Sequence, residues 1–286
     1  MFTPDLLKGR TILVTGGGSG LGLSMARRFA SLGATVAICG RSREKLDGAI
    51  AASGDLSDHL HPFVCDVRDY DAVGAMVRDI VTRCGGIDSL VNNAAGNFLA
   101  ASEDLSANAF RTVIDIVLHG TFNCTQQVGR YLIEQKQSGA VLNIVTTYTE
   151  TGSAFVLPSA CAKAGVYALT TSLAFEWATY GIRVNAIAPG PFPTEGAWKR
   201  LVPDPRIEQA FMKKVPLGRF GTQEELSDLA AYLLSDGASF ITGECVTIDG
   251  GARLGSGQFN FVADLMPREQ LRKQFQQLKP KKDIPL

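Results

Sequence analysis

Short runs of apolar and β-branched residues alternate along the chain with longer stretches whose apolar positions recur at helical spacing. Each of the first three strand-like runs precedes a helix-like stretch: Thr11–Val14 before Leu21–Leu32, Thr35–Cys39 before Arg43–Ala52, and Pro62–Cys65 before Ala72–Thr82. Further strands are predicted at Ser89–Asn92, Val141–Val145, Arg183–Ile187 and Cys245–Ile248. The alternation predicts an α/β fold, a doubly wound seven-stranded parallel sheet formed by residues 1–286 as a single domain.

Two segments depart from this alternation. Residues 191–214 combine proline, tryptophan and mixed charge, and we expect them to form a helical insertion that covers the substrate. Residues 252–286 carry no strand signal and are expected to form a C-terminal arm, either packed or partly disordered. Ligands of open parallel sheets bind outside the carboxyl ends of the strands, so the residues just after each strand are the first candidates for function.

Composition and charge narrow the class of protein. Of 286 residues, 45% are hydrophobic, and 28 basic side chains balance 28 acidic ones, which allows a large core and does not favour a nucleic-acid partner. The six cysteines lack disulfide or metal-ligand spacing, so we expect small buried residues and no metal site. We find no apolar run near the ~20 residues of a membrane span. Without a signal peptide, transit pattern or terminal Ser-Lys-Leu, a cytoplasmic location is expected.

A glycine-rich turn joins the first predicted strand to the first predicted helix. Its Gly16, Gly20 and Gly22 follow a GxxxGxG spacing. Glycine permits positive φ there and lets backbone N–H groups approach a pyrophosphate at a helix N-terminus. Such a motif alone could mark a merely flexible turn, but at this strand–helix junction it predicts a dinucleotide cofactor, with Ser19 and Leu21 also in contact.

The residues after the second strand favour NADPH over NADH. An NAD site would carry an acidic residue here to bind the ribose, whereas this chain reads Cys39-Gly40-Arg41-Ser42. No carboxylate repels a 2′-phosphate, and Arg41, with Ser42 or Ser19, could bind it through charge-assisted hydrogen bonds. The alternative is that Arg41 is an ordinary solvated residue at the start of a helix.

From Thr15 to Gly251, the order and spacing of these motifs resemble the short-chain dehydrogenase/reductase family, whose domain is a Rossmann fold. The resemblance implies a homotetramer built through two long helices, around Ser106–Tyr131 and Pro158–Tyr180. It also implies three further groups of cofactor contacts. Asp66 and Val67 would contact the adenine, and Asn93, Ala94 and Ala95 would lie along the cofactor. Pro189, Gly190 and Thr194 would contact the nicotinamide.

One departure from the family's pattern changes the expected chemistry. The family's acid/base tyrosine stands four residues before a lysine, but here Ser159 precedes Lys163. A serine hydroxyl is far less acidic than a phenol, so either catalysis has been lost or a phenol comes from elsewhere. Tyr148 follows the fifth predicted strand, at the edge of the sheet where the cofactor is expected.

Tyr148, Ser159 and Lys163, together with Asn97, resemble the site of the NADPH-dependent 2,4-dienoyl-CoA reductase branch of this family. The resemblance implies reduction of 2,4-dienoyl-CoA to 3-enoyl-CoA in unsaturated fatty-acid β-oxidation, by hydride transfer to C5. Tyr148 and Asn97 would then stabilise the dienolate at the thioester oxygen. Lys163 would bind the nicotinamide ribose, and Ser159 would orient Tyr148 or bind near the thioester.

Two other functions remain open. The protein could be another acyl-CoA reductase of the same family, acting on 2-enoyl-CoA or 3-oxoacyl thioesters. It could also be a catalytically inactive NADPH-binding protein. In that case the serine at position 159, where the family has its tyrosine, would mark the loss of catalysis. Each candidate residue has a plainer alternative as well: a packed loop aromatic for Tyr148, a turn residue for Asn97.

The substrate's own contacts are predicted from the insertion and its surroundings. Phe98, Trp198 and Phe211 are candidates for apolar contact, and Arg200 for a CoA phosphate, with a solvated helix face as an equal alternative. His119 stands where the family commonly carries an asparagine. It could hold a water or simply pack, and the sequence does not decide between these roles.

Overall fold

The structure, a computed structural model, describes residues 2–194, 198, 202 and 204–277. Its centre is a parallel sheet whose strands lie in the order β3-β2-β1-β4-β5-β6-β7. The predicted seven-stranded, doubly wound sheet is confirmed, with predicted strand ends within two residues of those observed. The strands are β1 Thr11–Thr15, β2 Thr35–Gly40, β3 Leu60–Val64, β4 Ser89–Asn92, β5 Gly139–Ile144, β6 Ile182–Pro189 and β7 Cys245–Ile248.

Helices cover both faces of the sheet. One face carries α1 Gly20–Ser31, α2 Arg43–Ala51 and α8 Gln223–Leu234. The other carries α3 Tyr70–Cys84, α4 Ala107–Ile114, α5 Gly120–Glu134 and α6 Leu157–Glu176. Outside these layers lie α7 Pro205–Lys213 and α9 Arg268–Gln277. Short 3₁₀ helices occupy Gly54–His59, Ser102–Asp104, Ala178–Tyr180, Asp236–Ala238, Ala252–Ser256 and Asn260–Asp264.

The central strands are mostly apolar because both of their faces are buried, whereas the edge strands β3 and β7 are only partly buried. All five residues of β1 are buried, with Ile12 and Val14 packed towards α1 and Leu13 towards α3. A parallel sheet covered on two sides selects continuous apolar runs rather than alternating ones. The layered core therefore holds the carboxyl ends of the strands, and the loops that follow them, in a fixed relation.

The helix predicted around Ser106–Tyr131 is not regular. A π-helical turn, Asp115–His119, separates α4 from α5. Gly120 then brings α5 so close to the loop after β3 that a Cβ at this position would lie 2.6 Å from Val67 Cγ2. Apolar spacing of 3.6 residues cannot reveal one extra residue in a turn, which is why the sequence did not show this interruption.

The structure also tests the predictions for the cysteines and the C-terminal arm. Cys39, Cys65 and Cys124 are buried as expected, whereas Cys84 and Cys245 are only partly buried and Cys161 is exposed on α6, so the expectation of six buried cysteines is wrong for these three. Residues 252–277 of the predicted arm are largely helical, with Leu271 of α9 buried, and residues 278–286 lie outside the described part. Among the described residues, no helix is long and apolar enough to cross a membrane.

Candidate active site

The glycine-rich turn between β1 and α1 is packed too closely for side chains. Gly16 and Gly20 have φ values of +66° and +53°, in the left-handed region that favours glycine. A Cβ at Gly22 would lie 2.4 Å from the carbonyl oxygen of Gly16 and 2.5 Å from Asn93 Nδ2. Asn93 also donates to the carbonyl of Thr15 at 3.0 Å, which ties the loop after β4 to this turn.

An open cavity follows the carboxyl ends of β1, β2, β3 and β4. Most of the predicted cofactor contacts from these four strand ends line it. Gly20, Leu21, Gly22 and Asn93 are not in the lining, and the last two lie in the packed turn beneath it. The lining residues are Gly16, Gly18, Ser19, Cys39, Gly40, Arg41, Ser42, Lys45, Leu46, Cys65, Asp66, Val67, Ala94, Ala95 and Ile116.

Of the predicted contacts after β6, Thr194 lies next to the same turn. A Cβ at Gly20 would lie 3.6 Å from the side chain of Thr194, so Thr194 stands next to the glycine-rich turn. At Gly190 a Cβ would lie 2.6 Å from Asp249 Cβ, which explains glycine there by close packing against the end of β7. Pro189 ends β6 itself.

Two cations and one carboxylate line the cavity. Arg41 directly follows β2, and Lys45 lies in the first turn of α2. Asp66 is engaged by Arg68, whose guanidinium donates to both carboxylate oxygens, and this pairing lowers the pKa of Asp66. Lys45 was missed in the sequence. The sequence shows only that Lys45 stands four residues after Arg41. That position points to the cofactor site only when α2 is seen to border the cavity.

These features fit a phosphate-bearing dinucleotide. The glycine cradle offers backbone without side chains, and the free positive charge lies at the end of β2, where the ribose of such a cofactor binds. A metal ion has no comparable support: within the described ranges no group of three or more His, Cys, Asp and Glu side chains could hold one.

A second group of polar side chains converges beyond β5. Tyr148 lies in the loop between β5 and α6, and its Oη is 3.1 Å from Ser159 Oγ in the first turn of α6. Asn97 Nδ2 faces the same Tyr148 Oη at 3.5 Å, a long contact for a hydrogen bond. The amide of Asn97 is oriented by its own Oδ1, which accepts from the backbone N–H of Phe98 at 2.9 Å.

Lys163 lies one helical turn after Ser159 and is buried, with 5% of its surface exposed. Its Nζ donates a hydrogen bond to the carbonyl oxygen of Ile144, the last residue of β5. Burial lowers the pKa of Lys163 to about 8, because the charged ammonium loses its contact with water. No carboxylate in the described part of the chain forms an ion pair with it. The tertiary structure thus brings Tyr148, Ser159, Asn97 and Lys163 to one strand end.

One hydroxyl near this group lacks a partner. Thr146 Oγ1 is buried, and nothing in the described part of the chain hydrogen-bonds to it. Thr146 stands between Ile144, which accepts from Lys163, and Tyr148. A buried hydroxyl left unpaired costs about 1–3 kcal/mol, so this position suits a polar group supplied by a ligand.

The other predicted site residues lie in different parts of the structure. Trp198 stacks on Phe211, with ring centroids 6.0 Å apart, and meets Phe220 edge-on at 4.9 Å, so the insertion holds an aromatic cluster. Phe98 packs against the apolar cluster under the β5–α6 loop, beside Asn97. His119 is exposed, with Nδ1 2.9 Å from Asp115 Oδ1. Arg200 lies outside the described residues.

Residues 16–253 match the family model described as enoyl-(acyl carrier protein) reductase. A Bacillus subtilis (strain 168) protein named probable 2,4-dienoyl-CoA reductase, (2E)-enoyl-CoA-producing, is 45% identical over 85% of this chain and 96% of its own length. A Caenorhabditis elegans protein named probable 2,4-dienoyl-CoA reductase 3, (3E)-enoyl-CoA-producing, is also 45% identical, over 86% of this chain and 81% of its own.

Solved structures agree with the fold. The crystal structure of a short chain dehydrogenase from Bacillus anthracis superposes with a TM-score of 0.81 at 45% identity. The superposition covers 87% of this chain and 99% of that one. The glycine-rich turn from Gly16, strands β2 to β7 and the β5–α6 region lie within the matched residues 16–253 of the family model, and β1 ends just before them at Thr15.

Proposed function

Because the chain belongs to the short-chain dehydrogenase/reductase family, we propose that it is an NADPH-dependent reductase of 2,4-dienoyl-CoA thioesters. The observation that carries this proposal is the placement of Tyr148 Oη, 3.1 Å from Ser159 Oγ and 3.5 Å from Asn97 Nδ2. Tyr148 would supply the phenol that is absent at position 159, from the loop before α6 instead of from α6 itself. Both relatives named above bear the name of the proposed reaction.

The displaced phenol suits a conjugated thioester better than a ketone. In carbonyl reduction the oxygen that becomes negative is bonded to the carbon that accepts hydride. When bound, NADPH would supply a hydride, which for a dienoyl thioester reaches C5. Negative charge then moves through the conjugated chain to the thioester oxygen, several bonds away. Donors placed for that oxygen, Tyr148 Oη and Asn97 Nδ2, stabilise charge that develops during the reaction.

Lys163 and Ser159 support these donors. The buried ammonium of Lys163 is positioned by the carbonyl of Ile144 and supplies positive potential under the site, where it would also bind the nicotinamide ribose. Ser159 fixes the phenol of Tyr148 through their hydrogen bond. The unpaired hydroxyl of Thr146 would gain its missing partner from the bound cofactor or substrate.

The cofactor proposal rests on the charges at the end of β2. Arg41 lines the cavity, and the carboxylate of Asp66 is engaged by Arg68. No acidic side chain stands directly after β2 to accept a ribose 2′-hydroxyl, which favours a cofactor with a 2′-phosphate. The remaining predicted contacts, from the glycine turn to Thr194, would hold the pyrophosphate and nicotinamide.

The position of the final proton decides the product. Protonation of the dienolate at C2 gives a 3-enoyl thioester, and protonation at C4 gives a 2-enoyl thioester. The two relatives of equal identity are named for different products. We propose 3-enoyl-CoA, because a thioester oxygen held by Tyr148 and Asn97 keeps C2, the carbon bonded to the thioester carbon, closer than C4 to the hydroxyl of Tyr148.

The deciding experiment follows NADPH oxidation with 2,4-hexadienoyl-CoA, 2-hexenoyl-CoA and acetoacetyl-CoA, and identifies the product by mass spectrometry and proton NMR. We expect turnover of the dienoyl substrate alone, with 3-hexenoyl-CoA as product. Turnover of acetoacetyl-CoA instead would identify a 3-oxoacyl reductase. Stoichiometric NADPH binding without turnover of any of the three would make the protein an inactive cofactor-binding relative.

An assembly is part of the proposal. Phe122 on α5 and Phe175 on α6 expose 45% and 89% of their surfaces, on the two helices through which we predicted a homotetramer. Large apolar side chains on neighbouring helices are typical of a buried interface. Sedimentation equilibrium would show a tetramer, and Phe175→Glu should shift it to smaller species. A cytoplasmic location stays a prediction.

A further inference from the structure

A lysine on the wall of the cofactor cavity has no role in the chemistry described so far. Lys45 lies in the first turn of α2 and lines the cavity beside Arg41 and Ser42. We propose that Lys45 is a second cationic ligand for the 2′-phosphate of the cofactor and, together with Arg41, sets the preference for NADPH over NADH. This inference rests on the proposed NADPH site and adds a specificity-determining residue to it.

Packing holds the first turn of α2 against the cavity. Leu46 is 1% exposed, and its side chain would lie 3.2 Å from a Cβ at Gly18 and 3.4 Å from one at Gly40. Ser42 caps the helix, since its Oγ accepts a hydrogen bond from the backbone N–H of Lys45 at 3.3 Å. The backbone of Lys45 is therefore fixed next to both cofactor loops, while its ammonium is free to choose a rotamer.

In the described part of the chain, Arg43 and Asp66 have direct charged partners, whereas Arg41 acts on Asp66 only at a distance, where its charge helps to lower the pKa of Asp66. Arg43 is paired with Asp47, one turn further along α2, at 2.8 Å. Over the described ranges, the side chains of Arg41 and Lys45 form no hydrogen bond or ion pair. Asp66, the third charged residue of the cavity wall, is engaged by Arg68 at 2.5 Å. The cavity thus presents two cations that form no direct ion pair with any described residue.

The position of Lys45 is unfavourable for the helix alone. A cation in the first turn faces the positive end of the helix dipole, which favours anions there. Arg43 offsets this with a carboxylate at i+4, whereas the residue four after Lys45 is Ala49. Arg41 and Lys45 are themselves four residues apart, with like charges. Glu44 already places one carboxylate in this turn, and a bound phosphate dianion would add a counter-charge that also reduces the repulsion between Arg41 and Lys45.

Binding of two small adenosine phosphates isolates the contact from catalysis. We would measure the Kd of adenosine 2′,5′-bisphosphate and of adenosine 5′-monophosphate by calorimetry for the wild type, Lys45→Gln, Lys45→Arg and Arg43→Gln. Lys45→Gln should weaken the bisphosphate roughly 5- to 10-fold, the size of one partly exposed charge-assisted contact, and leave the monophosphate unchanged. Lys45→Arg should keep most of the affinity. Arg43→Gln is the matched control and should change neither Kd.

The outcomes separate this inference from the proposed cofactor. If the wild type prefers the bisphosphate and Lys45→Gln behaves like Arg43→Gln, Lys45 is not a phosphate ligand, while the NADPH assignment stands. Equal weakening of both ligands would mean a structural role for Lys45 and would also overturn the inference. A wild type that does not distinguish the two ligands would remove the NADPH proposal and this one with it.

Discussion

Tyr148 Oη lies 3.1 Å from Ser159 Oγ, so the residue that replaces the expected tyrosine on α6 hydrogen-bonds the tyrosine that takes its place. The two residues are 11 positions apart, Tyr148 within the β5–α6 loop and Ser159 in the first turn of α6. The serine at position 159 is therefore more than a small residue, because its hydroxyl forms a hydrogen bond with Tyr148. It holds the displaced phenol in one orientation, close to Asn97.

Tyr148→Phe should lower kcat for 2,4-hexadienoyl-CoA by about 100- to 1,000-fold, as expected for the loss of one donor to a developing oxyanion. The Kd of NADPH should not change, since the phenol belongs to the substrate side. Tyr180→Phe, at a half-exposed tyrosine away from the loop, is the control and should keep full activity. An unchanged rate in Tyr148→Phe would contradict a catalytic role.

Asn97→Ala should lower kcat by about 100-fold for the same reason, and its effect should depend on Tyr148. The two side chains face each other at 3.5 Å and would share one oxygen of the substrate, so their contributions are coupled. The measurement is a double-mutant cycle of Asn97→Ala and Tyr148→Phe. Fully additive losses would show that the two groups act on different atoms.

Lys163→Met should stabilise the ligand-free protein while abolishing turnover. The folded pKa of about 8 lies below the ordinary value of 10.5, so the buried ammonium opposes folding most strongly below pH 8. This unfavourable contribution fades as the pH rises from about 8 to 10.5, where the unfolded chain also loses the proton. After allowing for the lost hydrogen bond to Ile144, we expect a gain on the order of 2 kcal/mol at pH 7.

Urea unfolding of the wild type and of Lys163→Met at pH 7, 8, 9 and 10 would measure this gain. The difference in free energy of unfolding should shrink steadily across the series. A difference that stays constant, or that grows with pH, would show that Lys163 is not a desolvated cation in the folded state.

Gly22→Ala should damage both folding and cofactor binding. The added Cβ would meet the carbonyl oxygen of Gly16 at 2.4 Å, and backbone in a tight turn cannot move away cheaply. We expect a loss of about 1–3 kcal/mol of stability and at least a tenfold rise in the Kd of NADPH. Gly48→Ala, in α2 with nothing within 4 Å of its Cβ, is the control and should be neutral or stabilising. Thermal unfolding and fluorescence titration would measure both.

Arg41→Asp should reverse the cofactor preference. A carboxylate there repels the 2′-phosphate and can accept a hydrogen bond from the ribose hydroxyls of NADH. The ratio of kcat/KM for NADPH to that for NADH should fall by about 100-fold or more, the sum of a lost charge-assisted contact and an added repulsion. An unchanged ratio would mean that Arg41 points into solvent.

The order of strands and helices follows from the sequence because each βαβ unit is a local pattern. The strands β4 and β7 were predicted with both ends correct, because short β-rich runs stand out from the flanking loops. The turn Asp115–His119 and the exposure of Cys161 were not predictable in this way. A π turn adds one residue to a helix without changing its composition, and a cysteine suits either a surface or a core.

The active-site residues show the same division. Gly16, Gly20 and Gly22 could be identified from spacing, because only glycine fits a turn whose backbone meets a phosphate. Lys45 could not, because a lysine in a helix is ordinary until the helix is placed against a cavity.

By itself, the sequence determined the fold class, the glycine-rich turn after β1 and the absence of a tyrosine at position 159. These are properties of local pattern and residue type. Only the tertiary structure decided that Tyr148, Asn97, Ser159 and Lys163 meet at the end of β5. Hydrogen bonds between residues up to 51 positions apart depend on how loops cross above the sheet, and no spacing along the chain encodes those distances.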